Sequence, residues 1–309
     1  MNIETNAMPQ TLESQVVAPA EVSAARRFYW SLRREFWESR SIYLAPLAVA
    51  LLFLLGFAIS TVHLPGEMRA AAALDPMKQR EAIALPYDFA AGLLMLSLMI
   101  VGAFYSLDAL YGERRDRSIL FWKSLPLSDL TTVLAKASIP LVLLPLLAFG
   151  ITIVTQFIML LLSSVVLAAS GQSVATLWTQ LSFVRMSLLL LYHLVTAHGL
   201  WQWPIYGWLL LVSAWAPRAP FVWAFLPPLA LCYLEKIAFN TTHFLSLLRY
   251  RLEGNGMEAI TVAGTLPMNP MTQLTPLRFL SSPGLWIGLA LTAVFIAAAV
   301  RMRRYRGPI

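Results

Sequence analysis

Long apolar segments alternate with short charged segments along most of this chain. Six segments have the length and composition of membrane-spanning helices, at 41–62, 89–110, 139–168, 186–216, 220–236 and 284–300. A helix needs about 20 mostly apolar residues to cross roughly 30 Å of hydrocarbon. The pattern therefore predicts an all-α, polytopic membrane protein with six transmembrane helices, which form a single transmembrane domain over residues 25–309.

The composition of the chain agrees with this pattern. Of its 309 residues, 58% are hydrophobic and only 13% are charged. Ordinary soluble domains contain about 45–50% apolar and about 25% charged residues. The deficit of charge excludes a soluble enzyme, and the excess of apolar residues excludes an intrinsically disordered chain.

Prolines complicate the third and fourth segments. The third would form a helix of roughly 45 Å, so we expect it to tilt, protrude or bend at Pro140 and Pro145. The fourth is interrupted by the sequence from Trp201 to Pro204, which could end one span and begin another. If the fourth segment formed two spans instead of one, the basic C-terminus would lie on the outer side, against the positive-inside rule. Six spans are therefore retained, and the fourth helix is either continuous or broken at Pro204.

The distribution of positive charge predicts the orientation. With the N-terminus inside and six crossings, 15 of the 23 lysines and arginines lie on the cytoplasmic side, in agreement with the positive-inside rule. Both termini are then cytoplasmic, and residues 1–24, which lack the features of a signal peptide, form a disordered cytoplasmic tail. Anionic lipid of the inner leaflet accounts for the net charge of +7, so nucleic-acid binding is not expected.

An amphipathic segment precedes the first span, at residues 25–40. At helical spacing its apolar side chains fall on one arc and its charged side chains on the opposite arc: Phe28, Tyr29, Leu32 and Phe36 against Arg34, Glu35 and Glu38. This pattern is typical of a helix that lies in the membrane interface. The alternative is an N-terminal extension of the first span with a basic flank.

A second amphipathic segment, Tyr111 to Lys136, lies between the second and third spans. Glu113 and Arg117 are spaced i and i+4, and apolar residues follow them up to Pro126, which ends the predicted helix. Ser128 or Asp129 can cap the next helix, which enters the membrane. A short charged helix with an apolar stripe indicates a docking element for a partner. The alternative is an elbow that rests on the inner leaflet.

The sequence ERRDRSILFWKSLPLSD, followed by Lys136, resembles the cytoplasmic element of ABC-2 type transporter permeases, the membrane subunits of many bacterial ATP-driven exporters. The order of elements over residues 25–305 is similar to that family as well. Many members have Gly-Thr where this chain has Arg117-Ser118. The resemblance implies that residues 111–130 hold a coupling helix, which docks onto a separate ATPase. The implied contacts are Glu113, Arg114, Arg115, Asp116, Arg117, Phe121, Trp122 and Lys123.

The resemblance also implies the partners and the location. The chain would be a multi-pass protein of the bacterial inner membrane that dimerises with a second permease copy or a paralogue, contacts membrane lipids and exports an unidentified substrate. No lysine follows a glycine, so the chain has no P-loop. ATP and Mg would therefore bind the partner ATPase, and no cofactor or metal is expected in this chain. HExxH and GxSxG sequences are absent too, and an enzyme is not expected.

Three ionisable residues within the predicted spans are candidates for a transport pathway, because such groups are costly in a membrane: Asp108, His193 and Glu235. Each has an alternative. Asp108 can pair with Arg114 or Arg115, Glu235 can anchor a helix end, and His193 can be a hydrogen-bonded packing residue. On an α-helix, His193 and His198 would not share a face.

Small residues recur in the last span, where a GxxxG sequence is followed by a second pair of small residues that are also four apart: Gly284 and Gly288, then Ala293 and Ala297. This small face predicts close helix packing, either within one subunit or at a dimer seam. The outer loop at 240–282 is long for an unstructured connection. We expect a short amphipathic helix there, followed by irregular or re-entrant backbone.

Two further hypotheses remain open. A membrane scaffold or assembly subunit would anchor a cytoplasmic partner without moving a solute. An ion-coupled secondary transporter would need functional charges inside the membrane and usually shows repeated halves, whereas no internal repeat is found in this sequence.

Overall fold

A computed structural model describes residues 23–124, 127–253 and 276–309. Within these ranges the regular structure is helical throughout, without a strand. The helices are α1 (Ala24–Glu38), α2 (Ser41–Ser60), α3 (Leu64–Ala72), α4 (Pro76–Asp108), α5 (Tyr111–Arg115), α6 (Ser118–Ser124), α7 (Asp129–Ser138), α8 (Leu144–Ala169), α9 (Val174–Gln180), α10 (Phe183–His193), α11 (Trp203–Trp215), α12 (Pro220–Phe239), α13 (His243–Glu253), α14 (Pro276–Leu280) and α15 (Pro283–Tyr305). The expected tail at residues 1–24 lies almost entirely outside the described residues, as do Pro126 and residues 254–275 of the expected outer loop.

Six helical stretches of the described chain are long and apolar enough to cross a membrane: Ser41–Ser60, Pro76–Arg115, Asp129–Ala169, Val174–Trp201, Pro220–Phe239 and Pro283–Tyr305. The predicted fold class, an all-α polytopic protein with six membrane-spanning helices, is confirmed. The chain is a multi-pass membrane protein.

The second span begins earlier than its apolar pattern indicates. Helix α4 starts at Pro76, 13 residues before the predicted apolar segment that begins at residue 89, and Asp88 is a helical residue. Proline is favoured in the first turn of a helix. The helix then continues through the charged segment because Ile83 and Tyr87 are buried in an apolar cluster against Met159 of α8. Packing of one face thus outweighs the polar sequence of the other face.

The apolar core lies where α4, α8 and α11 meet. Met95 and Leu98 of α4, Leu144 of α8 and Leu209 and Leu210 of α11 belong to one buried cluster. Helix α2 packs on α4 and α8, and α15 packs along α11. The outer faces of these helices expose large apolar side chains, as expected for helices that face lipid.

Two tryptophan side chains of α11 bind carbonyls that proline residues leave without a backbone donor. Pro145 cannot donate to the carbonyl of Leu141, and the indole Nε1 of Trp203 donates to that oxygen at 3.3 Å. Pro228 cannot donate to the carbonyl of Ala224, and the indole of Trp208 donates to it at 3.0 Å. The backbone from Ile139 to Leu143 is π-helical, at the position where the sequence predicts a bend. Neighbouring helices thus satisfy the backbone groups that the prolines free.

The fourth span is interrupted at Gln202. Helix α10 continues as a π-helix over Leu194–Trp201, and α11 begins at Trp203 with Pro204 in its first turn. Phe183 at the start of α10 contacts Phe157 of α8, whereas the end of α11 reaches Arg114 beyond α4. The segment from α10 to α11 therefore crosses the bundle once, as a broken helix.

Both described termini lie at the same end of the bundle, here called the charged end. Glu35 of α1 contacts Lys136 of α7, and Arg303 of α15 contacts Glu113 of α5. The opposite end carries α3 and α9. Two termini at one end agree with an even number of crossings.

Helices α12 and α13 form a hairpin beside α11. Helix α12 is the most exposed of the six candidate spans in the described chain, since only 6% of the residues in its most apolar stretch are buried. Helix α13 returns toward the core, where the guanidinium of Arg251 lies 4.4 Å from the ring centre of Trp201 and donates to the carbonyl of Gly284 at 2.8 Å. The expected short helix in the outer loop corresponds to α13, which turns back into the bundle.

Candidate docking element and buried charge network

Two short helices, α5 and α6, form the candidate docking element between the second and third spans. The sequence predicts one helix here, but the structure has two because Arg117 adopts φ of 58°. This left-handed conformation cannot continue a right-handed helix. Helix α6 then begins at Ser118, and Ile119 inserts into the bundle with 1% of its surface exposed.

The first of these helices is anchored to the end of the fourth span. The guanidinium Nη1 of Arg114 donates to the carbonyl of Ala214 at 2.9 Å and to that of Ala216 at 3.1 Å. The serine hydroxyl of Ser213 accepts from the amides of Leu110 and Tyr111, each at 2.9 Å. The position of α5 is therefore fixed by polar contacts within the chain.

The predicted docking residues divide into buried and exposed groups. Glu113 and Arg114 are 7% and 5% exposed and bind partners within the chain, so this structure does not present them at the surface, and their contact with an ATPase stays a prediction. Trp122 is half-buried beneath Arg34, whose guanidinium carbon lies 3.5 Å from the ring centre. The remaining predicted residues are exposed: Arg115, Asp116, Arg117, Phe121 and Lys123.

An apolar patch lies among these exposed charges. Leu120 and Phe121 are each 58% exposed, although both are large hydrophobic residues. Lys123 reaches back to the C-terminal segment, where its amine lies 3.3 Å from the carbonyl of Arg304. The docking element thus presents an apolar tip with a basic border, on a base that is attached to the bundle.

Behind the docking element lies a network of buried charges centred on Glu35 and Glu113. Glu35 is 3% exposed. Its carboxylate accepts from the amine of Lys136 at 3.0 Å and from the hydroxyl of Tyr105 at 3.2 Å, and it also pairs with Arg34. A residue of α1 is thereby joined to α4 and α7.

The second half of the network joins α5 to α7 and α15. The Glu113 carboxylate lies 3.3 Å from the amine of Lys136 and 3.1 Å from Nη2 of Arg303. Arg303 also donates to Asp129 at the start of α7, and Arg34 lies 3.7 Å from Glu113. Lys136 therefore bridges both glutamates, and Arg303 bridges Glu113 to Asp129.

Apart from the exposed Glu38, which pairs with Arg34 at 3.4 Å, the charges of this network balance. Three cationic side chains face three carboxylates: Arg34, Lys136 and Arg303 against Glu35, Glu113 and Asp129. Burial opposes ionisation of Glu35, but the positive charges of Lys136 and Arg34 outweigh it, and the pKa of the Glu35 carboxyl lies below its ordinary value.

Part of the hydrogen-bonding capacity of the network is unused. Nε of Arg34, Nε of Arg303 and Oε1 of Glu113 are buried without a hydrogen bond. Buried charges that are only partly satisfied cost stability relative to apolar packing. The network has a structural effect nevertheless, because each bridging cation contacts carboxylates from two different helices and so fixes the relative positions of those helices.

Two of the three predicted intramembrane charges have local structural partners. Asp108 is exposed and lies 3.6 Å from Arg115, which is one of the two pairings expected for it. Glu235 binds the start of the next helix, accepting from the amides of His243 at 2.6 Å and Phe244 at 2.7 Å. Glu235 therefore holds the turn between α12 and α13.

The third, His193, lies where the helix becomes π-helical. Its Nδ1 is 2.9 Å from the carbonyl of Leu189, which agrees with a hydrogen-bonded packing role. The prediction that His193 and His198 do not share a face assumed an α-helix. The segment from Leu194 to Trp201 is π-helical instead, and π-helical hydrogen bonds join residues five apart.

The small face of the last span accommodates α13. An added Cβ at Gly288 would meet Nη2 of Arg251 at 2.3 Å, and one at Gly284 would meet the hydroxyl of Tyr250 at 2.8 Å. The GxxxG sequence therefore serves packing within the subunit. Ala293 and Ala297 are exposed on α15, away from this contact.

Three residues have a buried role that the sequence pattern does not reveal. The pattern predicts Glu35 on the polar face of an interfacial helix, and Arg303 belongs to the basic segment that follows the last apolar span. Lys136 entered only through the resemblance. A weak signal was present, because Glu35, Lys136 and Arg303 all adjoin apolar side chains in the sequence. Asp88 lies within the candidate span Pro76–Arg115, one residue before the predicted apolar segment.

No family model matches the chain, and neither a curated protein nor a solved structure matches it.

Proposed function

We propose that this chain is the membrane-embedded permease subunit of an ABC-2 type exporter in a bacterial inner membrane. It would work as a dimer with a second copy or a paralogue, and a separate ATPase subunit would hydrolyse the ATP. The observation that carries the proposal is the docking element. It lies between the second and third spans in the sequence, Leu120 and Phe121 are exposed at its tip, and its first helix contributes Glu113 to the buried charge network.

The backbone at Arg117 supports the resemblance on which the proposal depends. Many permeases of the family have glycine at this position, and Arg117 adopts φ of 58°. Glycine takes that conformation without steric cost, whereas other residues rarely do. The residue that differs from the family pattern thus retains the backbone shape that glycine would favour.

The charge network suggests how a docked ATPase would act on the membrane helices. A force on α5 reaches Lys136 and Arg303 through Glu113, which lies 3.3 Å and 3.1 Å from them. Helix α7 continues into the third span, and α15 is the last span. Closure of the ATPases would thereby shift these two spans together and change the access of the pathway.

Co-purification with an ATPase tests the proposal. Wild-type protein in mild detergent should retain a P-loop ATPase, identified by mass spectrometry, and Phe121→Glu should lose it. A carboxylate in place of a hydrophobic contact adds a desolvation cost and removes apolar area. Arg117→Glu should weaken retention at low salt and make it less dependent on salt, because an attractive charge is lost.

Two matched substitutions control for charge and for exposure. Leu74→Glu changes an exposed apolar residue at the opposite end, and Arg218→Glu changes an exposed arginine in the turn before α12. Both should retain the ATPase. Retention by Phe121→Glu, or equal loss in the controls, would contradict the assignment of the docking element. Absence of any ATPase would favour a scaffold or an ion-coupled transporter.

One observation favours the ion-coupled alternative. Asp88 lies within the second span, is partly buried, and has no hydrogen-bond or ion-pair partner in the part of the chain that the structure describes. An unpaired carboxyl inside a membrane is a candidate proton site. If transport continues after ATP depletion but is lost in Asp88→Asn, the ion-coupled alternative is established. If transport stops on ATP depletion but Asp88→Asn remains active, the result supports the exporter.

A further inference from the structure

A cavity of about 980 Å³ lies between α2 and α4, at the end of the bundle opposite the charged end. Helix α3 covers one end of it, and α8 and α9 contribute its back wall. Its lining is mostly apolar and includes Leu52, Phe53 and Phe89. The side chains of Leu52 and Phe89 are 73% and 54% exposed, so the cavity opens sideways between two membrane spans.

The length of the cavity matches one leaflet of a bilayer. It extends along α2 from Val49 to Ser60 and along α4 from Leu93 to Ala82, which is about 16 Å at 1.5 Å per residue. Half of a hydrocarbon core is about 15 Å. Since α2 runs from Ser41 to Ser60, the cavity begins near the middle of the span and ends at its far terminus.

The end of the cavity near α3 carries one unpaired charge. The hydroxyl of Ser60 donates to the carbonyl of Phe57, and Tyr87 bonds to Ser163, so these lining groups are satisfied within the chain. The carboxylate of Glu67 also lines the cavity, and it has no ion-pair partner among the residues described. A cationic group at this end would complement it.

We propose that this cavity binds one acyl chain of a membrane phospholipid, with an amine-bearing headgroup placed beside Glu67. The apolar walls and the leaflet-long shape select the acyl chain, and the carboxylate selects an amine over an anionic headgroup. The site is separate from the docking element, so it does not depend on the proposed export function.

Gly56 offers a substitution that fills the cavity without a clash. It lines the cavity, and an added Cβ there meets no atom within 4 Å. Gly150 on α8 is matched to it, since a Cβ there also meets no atom within 4 Å and it does not line the cavity. Both glycines are exposed on membrane-spanning helices, so Gly56→Phe and Gly150→Phe have the same cost in the helix itself.

Photo-crosslinking in lipid nanodiscs tests the acyl-chain site. A phosphatidylethanolamine with a diazirine in its acyl chain should label peptides from 49–60 and 82–93 above the other spans. Gly56→Phe should reduce this labelling by about fivefold or more through steric overlap, and Gly150→Phe should leave it unchanged. Even labelling of all exposed spans, no effect of Gly56→Phe, or an equal effect of both variants would overturn the proposal.

Competition between lipids tests the headgroup. Wild-type protein should be labelled less when unlabelled phosphatidylethanolamine competes than when phosphatidylglycerol does. Glu67→Gln should reduce that preference by about twofold to fivefold, as expected for an exposed ion pair. An unchanged preference in Glu67→Gln would overturn the headgroup assignment. Thermal unfolding of each variant shows that the protein remains folded.

Discussion

The contact between Trp208 and the carbonyl of Ala224 provides a sharp test of how the bundle tolerates its prolines. Pro228 removes the backbone donor for this carbonyl, and the indole of Trp208 replaces that donor at 3.0 Å. Ala224 is 4% exposed, so water does not readily substitute for the indole. Trp208→Phe keeps an aromatic ring near Phe295, whose ring centre lies 5.8 Å away, and removes the donor.

The expected cost of Trp208→Phe is about 1 to 2 kcal/mol of unfolding free energy. Hydrogen bonds between membrane helices average about 0.6 kcal/mol and reach about 1.7 kcal/mol, and an unsatisfied buried carbonyl costs about 1–3 kcal/mol. In the background Pro228→Ala, residue 228 regains an amide that can donate to Ala224. The same Trp208→Phe substitution should then cost less by about 1 kcal/mol.

Steric trapping in bicelles measures the unfolding free energy of the four proteins in this double-mutant cycle. A coupling of about 1 kcal/mol supports the exchange of one donor for another. Purely additive costs would refute the reasoning, since the indole would then act through its size alone. The pair formed by Trp203 and Pro145 repeats the test on α8 with the same expected sign.

Three further predictions concern the docking element and the charge network. Arg117→Gly should raise the unfolding free energy by about 1 kcal/mol, because glycine adopts the left-handed conformation without a steric penalty. The control Arg115→Gly, in helix α5, should lower the unfolding free energy by about 1 kcal/mol. If thermal unfolding shows lower stability for both variants, the argument from the backbone conformation of Arg117 fails. Because the pKa of Glu35 is lowered in the folded protein, its contribution is present above the ordinary glutamate value of about 4.3 and is lost as pH falls through the folded value. Unfolding measured against pH should therefore show an acid loss that Glu35→Gln diminishes, and an identical profile would contradict the burial of this charge. Arg303→Met should cost about 3–5 kcal/mol, as for a broken buried pair, and combining it with Glu113→Gln should recover part of that loss; no recovery would mean that the two side chains are not coupled.

Residue patterns along the sequence predict the spans well because each span requires many apolar residues in succession. The presence of a helical segment between the second and third spans was also predictable, since Glu113 and Ile119 mark a charged, amphipathic sequence between two apolar ones. The segment's division at Arg117 was not predictable from helical spacing. A left-handed residue leaves no periodic signal when it is not glycine.

The charge network was not predictable because its members come from distant parts of the chain. Glu35 lies on the polar face of α1, and a helical wheel assigns that face to water. The wheel carries no information about Lys136 or Arg303, which lie 101 and 268 positions further along. Only the packing of α7 and α15 against α1 and α5 converts three separate charges into one buried cluster.

The π-helical segment from Leu194 to Trp201 bears on how the length of this chain can vary. A π-helical turn contains more residues than an α-helical turn, so the segment holds an insertion that the helix absorbs by widening. Removal of one residue at an exposed position such as Val195, which is 50% exposed, would let the segment tighten into an α-helix while α10 and α11 keep their facing residues. The fourth span can thus accept the deletion of one residue. In an ordinary α-helical span the same deletion would rotate all later residues of the helix by about 100° relative to their neighbours.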